Sequence, residues 1–297
     1  MAATVVLNVH SRKAGALRDR VGELLARHGV EIEAVEATER NEELGACVAR
    51  AVERGASSVI VGGGDGSMRA AVAALAHRTT IMGVLPLGTG NSFAATLGIG
   101  DDLEKAIATI AAGRVAAIDV GVVNDRYFAN FATIGLPAEL ALAASAPLKR
   151  VFGSLAYVLG GIVPGLRHRS FGADICSDGD RHLNLRTHHI VVASGRTYGK
   201  MPLAPEAHAT DGLLTLFTSD GVSRADLVRT YAAFAVGAQT QLPDAHVLSA
   251  KTIEVRAMPA QPVNVDGEAA GTTPAHFRIA ERALRAFVPP EFFSDAA

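Results

Sequence analysis

The sequence contains no tryptophan, few aromatic residues, only two cysteines and no marked excess of charge of either sign. With 5% aromatic residues and a formal net charge of −2, the chain has neither the stacking side chains nor the basic character of a general nucleic-acid-binding protein. Cys47 and Cys176 fit neither zinc spacing nor a disulfide framework, which favours a reducing compartment. Because no basic and then apolar leader precedes the first predicted strand, we expect no signal peptide and a cytoplasmic location.

The first third of the chain alternates between strand-like and helix-like segments. Its 297 residues, 49% of them hydrophobic, are enough for one large or two ordinary domains. Strands predicted at 4–9, 31–37 and 58–61 are separated by helical patterns, and Asn41 is the predicted N-cap of the second helix. This alternation predicts a parallel sheet, in which ligands bind beyond the carboxyl ends of the strands. Asn8 and Thr38 lie at two of those ends.

A glycine-rich loop follows the third predicted strand. Gly63, Gly64 and Gly66 surround the single carboxylate of Asp65, and Ser67 follows them. The alanine-rich segment 69–76 is predicted to be a helix. Glycine lets backbone N–H groups approach an anion, and the helix N-terminus adds partial positive charge, so this loop predicts a phosphate site. A carboxylate beside phosphate is most easily explained by a bridging divalent cation, which points to Mg²⁺ and a nucleotide. A plain glycine-rich turn is the alternative.

A second loop of the same kind follows the next predicted strand and contains Gly88, Thr89, Gly90 and Asn91. Loops from successive parallel strands are expected to lie side by side at one edge of the sheet. Two other nucleotide-binding patterns are disfavoured. The Rossmann pattern needs a glycine where Arg69 stands, and the Walker Gly-Lys-Ser/Thr sequence is absent.

Together these loops resemble the diacylglycerol kinase catalytic domain superfamily, which includes bacterial lipid kinases and sphingosine kinases. Further blocks similar to the family's motifs follow in order: Asn8 with Ser11 and Gly15, then residues 127–136, 199–214 and 265–268. Arg69, Ser92 and Ser194 depart from the family pattern. Because Ser92 is expected near the headgroup, glycerolipid, sphingoid and prenol-like acceptors all remain open.

After residue 118 the chain becomes rich in strand patterns, which predicts an antiparallel second domain. The resemblance implies an N-terminal doubly wound α/β nucleotide-binding domain (1–118) and a C-terminal antiparallel β-sandwich domain (119–287) that receives the lipid. It also implies an active-site cleft between the two. Whether residues 288–297 return to the first domain is left open.

The resemblance also implies site residues. Glu268 is identified as the general base, with Asp266 and Asp65 as metal or nucleotide contacts, although Asp266-Gly267-Glu268 would also suit an ordinary hairpin turn. With ATP as cofactor, the expected nucleotide contacts are Asn8, Thr38, Gly63, Gly64, Asp65, Gly66, Ser67, Gly88, Thr89, Gly90 and Asn91.

A separate structural cation site is implied near Asp211. Its ligands would be oxygen atoms, which suit Mg²⁺. His208 and Leu213 would contribute backbone carbonyls in place of side chains.

Two apolar helices are predicted at 137–148 and 151–166. The second has no charged residue but is flanked by basic ones, and it is too short and too interrupted by glycine and proline for a secure membrane span. It is either a buried helix or a wall of an acyl-chain pocket whose basic rim meets anionic lipid. We therefore expect a lipid substrate, transient contact with the inner membrane surface and no nucleic-acid partner, and leave open whether two copies form a homodimer.

These observations predict an ATP-dependent, Mg²⁺-requiring lipid kinase. A kinase of a soluble substrate is one alternative, because NAD kinases and phosphofructokinases share the Gly-Gly-Asp-Gly motif. A catalytically inactive lipid-binding protein on the same fold is another. The second loop and the apolar helices argue against the first alternative, and the three carboxylates of Asp65, Asp266 and Glu268 argue against the second.

Overall fold

A computed structural model describes residues 2–9, 15, 17–143, 168–195, 197–198, 201–202 and 207–294. The predicted helix 151–166 and Ser11 lie outside the described residues. The strands are β1 (Ala3–Asn8), β2 (Ile32–Thr38), β3 (Ser58–Gly63), β4 (Ile81–Pro86), β5 (Val115–Val123), β6 (Arg126–Phe128), β7 (Phe131–Gly135), β8 (Phe171–Ser177), β9 (Arg181–Thr187), β10 (His189–Ala193), β11 (Thr197–Tyr198), β12 (Met201–Pro202), β13 (Leu214–Ser219), β14 (Ala245–Ala250), β15 (Thr252–Met258), β16 (Pro262–Val265), β17 (Glu268–Thr272) and β18 (Ala275–Phe287).

The described helices are mostly short, and a 3₁₀ turn spans Gln239–Gln241. They are α1 (Val21–Arg27), α2 (Asn41–Glu53), α3 (Asp65–Leu75), α4 (Ser92–Thr96), α5 (Leu103–Ala112), α6 (Leu136–Ala143), α7 (Arg224–Ala235) and α8 (Glu291–Ser294). Within the described residues, none is long and apolar enough to cross a bilayer.

The first compact unit is built on a parallel sheet and comprises residues 1–120, 208–212 and 280–297. Its strands run in the order β2-β1-β3-β4, all parallel. The end of β18 extends this sheet, because Arg285 and Ala286 pair in parallel with β4. Strand β3 is buried along its whole length, which explains why its sequence is a continuous apolar run: parallel strands covered on both faces need no polar alternation.

The carboxyl ends of these strands meet at one edge of the sheet. Asn8 at the end of β1 lies opposite Thr38 at the end of β2. Gly63 at the end of β3 lies opposite Pro86 at the end of β4. The loops that follow β3 and β4 therefore begin next to each other.

The second compact unit comprises residues 121–207 and 213–279 and is an antiparallel β-sandwich. One sheet has the order β14-β13-β10-β7-β16-β17, and the other contains β9, β8, β15 and the first part of β18. Side chains from both sheets form one buried cluster that includes Phe128, Phe171, Ile190, Leu216 and Phe277. The predicted fold class, an α/β domain followed by an antiparallel β-sandwich domain, is confirmed.

The division of the chain differs from the predicted domain limits at two places. Residues 208–212 and 280–287 belong to the first unit, whereas the strand pattern assigned them to the second domain. The reason lies in β18, a single strand whose early residues pair with β15 and whose last residues pair with β4. Residues 288–297 also belong to the first unit.

Candidate active site

The two glycine-rich loops of the first unit approach each other backbone to backbone. A Cβ atom added to Gly88 would overlap the Cα atom of Gly64, and a Cβ added to Gly64 would lie 3.2 Å from the Cα of Gly88. Only glycine permits this approach, because any side chain would force the loops apart. The structure thus brings together the two loops that the sequence singled out.

Glycine also lets polar side chains lie against the loop backbone. A Cβ at Gly66 would lie 2.5 Å from Asn41 Nδ2, and one at Gly90 would lie 2.5 Å from Asp65 Oδ2. A Cβ at Gly63 would overlap the Ser67 hydroxyl. Glycine at these three positions is therefore required by the packing of the loops themselves.

Asp65 connects the two loops. It is the first residue of α3, and its Oδ1 accepts a hydrogen bond of 3.3 Å from the N–H of Phe93, while Ser92 Oγ lies 3.5 Å from its Oδ2. Burial raises the pKa of the Asp65 carboxyl, and the hydrogen bonds from Phe93 and Ser92 oppose that rise. An ionised carboxylate here is therefore held at a cost in folding stability.

This cost predicts the behaviour of Asp65→Asn. The pKa of Asp65 is higher in the folded protein than in the unfolded chain. The protein is therefore more stable at low pH, where Asp65 is protonated, and it loses that stability as the pH rises through the folded-state pKa. The amide carries no charge, so near neutral pH we expect the variant to unfold at a higher temperature than the parent. In mild acid, where Asp65 protonates, the difference should shrink.

Thermal unfolding at both pH values tests this expectation. The matched control is Asp102→Asn, which makes the same change at an exposed helix N-cap and should give no gain. If Asp65→Asn unfolded at neutral pH at the same temperature as the parent or at a lower one, the buried charge of Asp65 would not destabilise the folded protein.

Asn91 shapes its own loop. Its backbone is left-handed with φ of 52°. Its side-chain oxygen accepts from the N–H of Gly88 at 2.9 Å, and its side-chain nitrogen donates to the Gly88 carbonyl and to Asp101. The Asn91 side-chain amide thus closes the turn that contains Thr89, and Thr89 itself is exposed.

A polar network joins the ends of β1, α2 and α3. Asn8 Nδ2 donates to Asn41 Oδ1 at 2.8 Å and to Ser67 Oγ at 3.2 Å, and Ser67 Oγ donates to Asn41 Oδ1 at 2.9 Å. The prediction of Asn41 as N-cap was wrong: Arg40 holds that position, without a side-chain cap. The Asn41 amide serves the network because α3 lies beside α2, which sequence position does not reveal.

In the second unit, Asp266 and Gly267 form the two-residue turn between β16 and β17. Both have positive φ, 45° and 94°, as a type I′ hairpin turn requires, and Val265 pairs with Glu268 across it. The Asp266 carboxylate accepts hydrogen bonds from three backbone N–H groups at 2.7–3.2 Å, those of residues 129–131. Asp266 therefore anchors the turn that presents Glu268, which is itself partly exposed.

The same neighbourhood contains a buried amide without protein partners. Neither polar atom of the Asn130 side chain has a hydrogen-bond partner among the described residues, although the residue is only 4% exposed. Leaving a buried polar group unpaired costs about 1–3 kcal/mol. Such a group suits a ligand hydroxyl, and only the resemblance of block 127–136 had drawn attention to it.

At the predicted structural cation site, Asp211 Oδ2 accepts the N–H of His208 at 2.8 Å. Leu213 belongs to the second unit. Within the described part of the chain, no cluster of three or more His, Cys, Asp or Glu side chains could hold a metal ion, so this site stays a prediction that relies on carbonyl oxygens.

Sequence reasoning missed Asp119, which lies beside Asp211. Asp119 is 3% exposed, and its carboxylate accepts from the N–H groups of Gly212 at 2.8 Å and Arg282 at 2.6 Å. Burial raises the pKa of Asp119, and the charges of Asp211 and Glu281 raise it further. The sequence did contain one signal for Asp119, since it is the single carboxylate within the otherwise apolar strand β5.

The N-terminal and the C-terminal portions of the chain each match the model of a known protein domain. Residues 2–123 match the model of the diacylglycerol kinase catalytic domain, and residues 132–288 match the YegS C-terminal NAD kinase beta sandwich-like domain. The chain is 32% identical to a "Probable lipid kinase YegS-like" of Enterobacter sp. (strain 638), over 97% of this chain and 96% of that protein. It is 27% identical to a diacylglycerol kinase of Staphylococcus saprophyticus, over 85% of this chain and 84% of that one.

Two crystal structures from Bacillus anthracis str. Sterne share the fold. One superposes with a TM-score of 0.82 at 22% identity, covering 98% of this chain and 96% of the other. The second, of a diacylglycerol kinase, gives 0.74 at 17% identity and covers 98% of both chains.

Proposed function

Because the chain belongs to the family of bacterial diacylglycerol kinases and YegS-like lipid kinases, we propose that it transfers the γ-phosphoryl group of ATP to a hydroxyl of a membrane-derived lipid. The acceptor would be diacylglycerol or a sphingoid-like alcohol. The oxygen–phosphorus bond to ADP breaks, a bond from the acceptor oxygen to phosphorus forms, and the hydroxyl proton passes to a carboxylate.

The single observation that carries this proposal is the contact between the two glycine-rich loops. A side chain at Gly88 would overlap the backbone of Gly64, and one at Gly64 would lie in tight contact with the backbone of Gly88. Strand-to-helix loops of this kind bind phosphate through backbone N–H groups. The polar network of Asn8, Asn41 and Ser67 would hold the first loop rigid beside the nucleotide.

The residues of this loop pair also fit Mg²⁺. Asp65 supplies one partly buried carboxylate, and Mg²⁺ commonly uses one or two carboxylates together with substrate phosphates and water. Bound there, Mg²⁺ would neutralise charge on the phosphates during transfer. The absence of a larger acidic cluster among the described residues is compatible with this ligand set.

We propose Glu268 as the group that takes the acceptor proton. The carboxylate of Asp266 is engaged by three backbone N–H groups, so we assign it to holding the turn and not to proton transfer. Glu268 follows it directly and is partly exposed. We also propose that Asn130, whose side-chain polar atoms have no partner among the residues that the structure describes, orients the acceptor.

The setting we propose is the inner membrane surface, with transient contact to reach the lipid. Nucleic acid is not an expected partner for a chain of formal net charge −2. A homodimer remains a prediction that sedimentation would test.

A lipid panel tests the function. With γ-labelled ATP and Mg²⁺, we expect label to enter diacylglycerol, a sphingoid base or a prenol-like alcohol presented in mixed vesicles. No label should enter NAD or fructose 6-phosphate. Label in a soluble acceptor would establish a soluble-substrate kinase instead, and lipid binding without ATP consumption would identify an inactive lipid-binding protein.

A further inference from the structure

The second unit contains a cavity of about 550 Å³ with a strongly cationic lining. This volume is typical of small-molecule sites. Its described lining includes Arg169, Arg186, Arg224, His168, His188 and Ser170, and no carboxylate is among the described lining residues. The sequence drew attention only to His168 and Arg169, which belong to the basic flank of the predicted helix 151–166. That Arg186, His188 and Arg224 lie beside them is visible only in the structure.

The cavity lies at the opposite end of the sandwich sheet from the Asp266 turn. His189, which follows a lining residue, pairs with Gly135, whereas Ala193 pairs with Phe131. The N–H of Phe131 donates to Asp266. Four residues along a strand correspond to roughly 13 Å, so the cavity and the Asp266 turn are distinct.

Two buried imidazole nitrogens on residues that line this cavity have no hydrogen-bond partner within the described part of the chain. His168 Nδ1 lies 3.0 Å from Glu139 Oε2 and His188 Nε2 lies 3.1 Å from the Ser223 carbonyl. The remaining nitrogens, Nε2 of His168 and Nδ1 of His188, are unpartnered. The two residues are only 8% and 4% exposed, and their ring centroids are 5.4 Å apart. Unpaired buried groups on two residues that line one cavity call for a polar partner, such as a bound ligand.

The charged side chains around the cavity indicate the charge that the ligand should have. Arg169 and Arg224 are exposed, and no ion pair involves either within the described residues. The nearby carboxylates are already engaged, Glu139 by His168 and Asp226 by the backbone of the α7 N-terminus and by Arg229. Guanidinium groups recognise phosphoryl oxygens through paired N–H donors.

We infer that this cavity is a binding site for a phosphoryl anion, supplied either as free phosphate or as the headgroup of an anionic phospholipid. The inference is independent of the proposed kinase activity.

Protonation of the His188 ring is coupled to this binding. In a neutral ring, the proton of His188 is on Nε2, facing the Ser223 carbonyl, so Nδ1 carries a lone pair and cannot donate to an anion. Burial lowers the pKa of His188, as do His168 and Arg186, while Ser223 and Asp226 oppose the shift. A bound anion favours the protonated ring, so the site takes up a proton on binding and binds more tightly as the pH falls.

Calorimetric titration with inorganic phosphate tests the site. Arg224→Gln removes one charge from an exposed lining residue and should weaken binding roughly 10-fold or more. The matched control is Arg278→Gln, which removes the same charge from an exposed residue outside the lining and should leave affinity unchanged. Equal phosphate affinities in both variants, or no phosphate binding by the parent, would rule out a soluble anion, and the vesicle experiment below then decides whether the cavity is an anion site at all.

A second titration measures how binding depends on pH. It uses inorganic sulfate, whose charge does not change between about pH 8 and about pH 6. Between about pH 8 and about pH 6 its affinity should rise roughly 10- to 100-fold. His188→Gln, whose amide can still donate to the Ser223 carbonyl, should flatten this dependence. An unchanged pH dependence in that variant contradicts the proton-coupled site.

Flotation with vesicles separates the two sources of the anion. Vesicles of phosphatidylcholine with and without phosphatidylglycerol are compared for the parent and both arginine variants. Binding that needs phosphatidylglycerol and is lost only in Arg224→Gln identifies a lipid headgroup. Phosphate binding without such a difference identifies a soluble anion. If neither probe distinguishes Arg224→Gln from Arg278→Gln, the cavity is not an anion site.

Discussion

Replacing Glu268 by Gln is expected to lower turnover on the order of 10²- to 10⁴-fold while leaving ATP affinity nearly unchanged. Gln preserves the size and much of the hydrogen bonding of the side chain but cannot accept a proton at neutral pH. Glu268 opens β17, directly after the Asp266-Gly267 turn, so the substitution leaves that anchoring untouched. Steady-state turnover and nucleotide titration measure the two quantities separately.

Two comparisons make the result specific to a general base. Asp65→Asn should alter nucleotide affinity or Mg²⁺ dependence as well as rate, because Asp65 is proposed to act through metal and phosphate. Glu254→Gln makes the same chemical change at a solvent-facing ion pair with Arg256 and should leave turnover intact. If Glu268→Gln retained normal turnover while chemistry was rate-limiting, the role of base would pass to Asp65.

Replacing Gly88 by Val is expected to abolish measurable nucleotide binding with little change in the rest of the fold. The new side chain would overlap the backbone of Gly64 and push the two loops apart. Hydrogen bonds to charged groups are worth about 1.5–3 kcal/mol each, so losing two of them weakens binding roughly 10²- to 10⁴-fold. Titration with ATP measures the loss.

The control is Gly22→Val, the same substitution where nothing lies within 4 Å of the added Cβ. It lies inside α1, where Val is tolerated at least as well as Gly, so ATP binding should be retained. Circular dichroism of both variants shows whether the fold survives. Normal ATP affinity in a folded Gly88→Val protein would mean that the nucleotide binds elsewhere.

The parts of the site that the sequence by itself determined are those encoded by consecutive residues. Glycines such as Gly64 and Gly88 between an apolar strand and a helix predicted phosphate-binding loops, since backbone freedom at positive φ or close approach is a property of the residue type. The Asp266-Gly267 pair also suited a hairpin turn, which was the alternative to a metal or nucleotide contact, and the structure has that turn. The alternation of strand and helix fixed the α/β class, because parallel strands need crossover helices.

The tertiary structure decided which distant groups meet. Asp119 is held by N–H groups 93 and 163 residues away, and the Asn41 amide joins Asn8 and Ser67 instead of capping its own helix. Likewise, His168, Arg186 and Arg224 line one cavity although nothing in their local patterns relates them. Apolar periodicity reports which face of an element is buried but not which element covers it. Hydrogen bonds over long sequence separations, and the charges gathered at a cavity, therefore become visible only once the strands have paired.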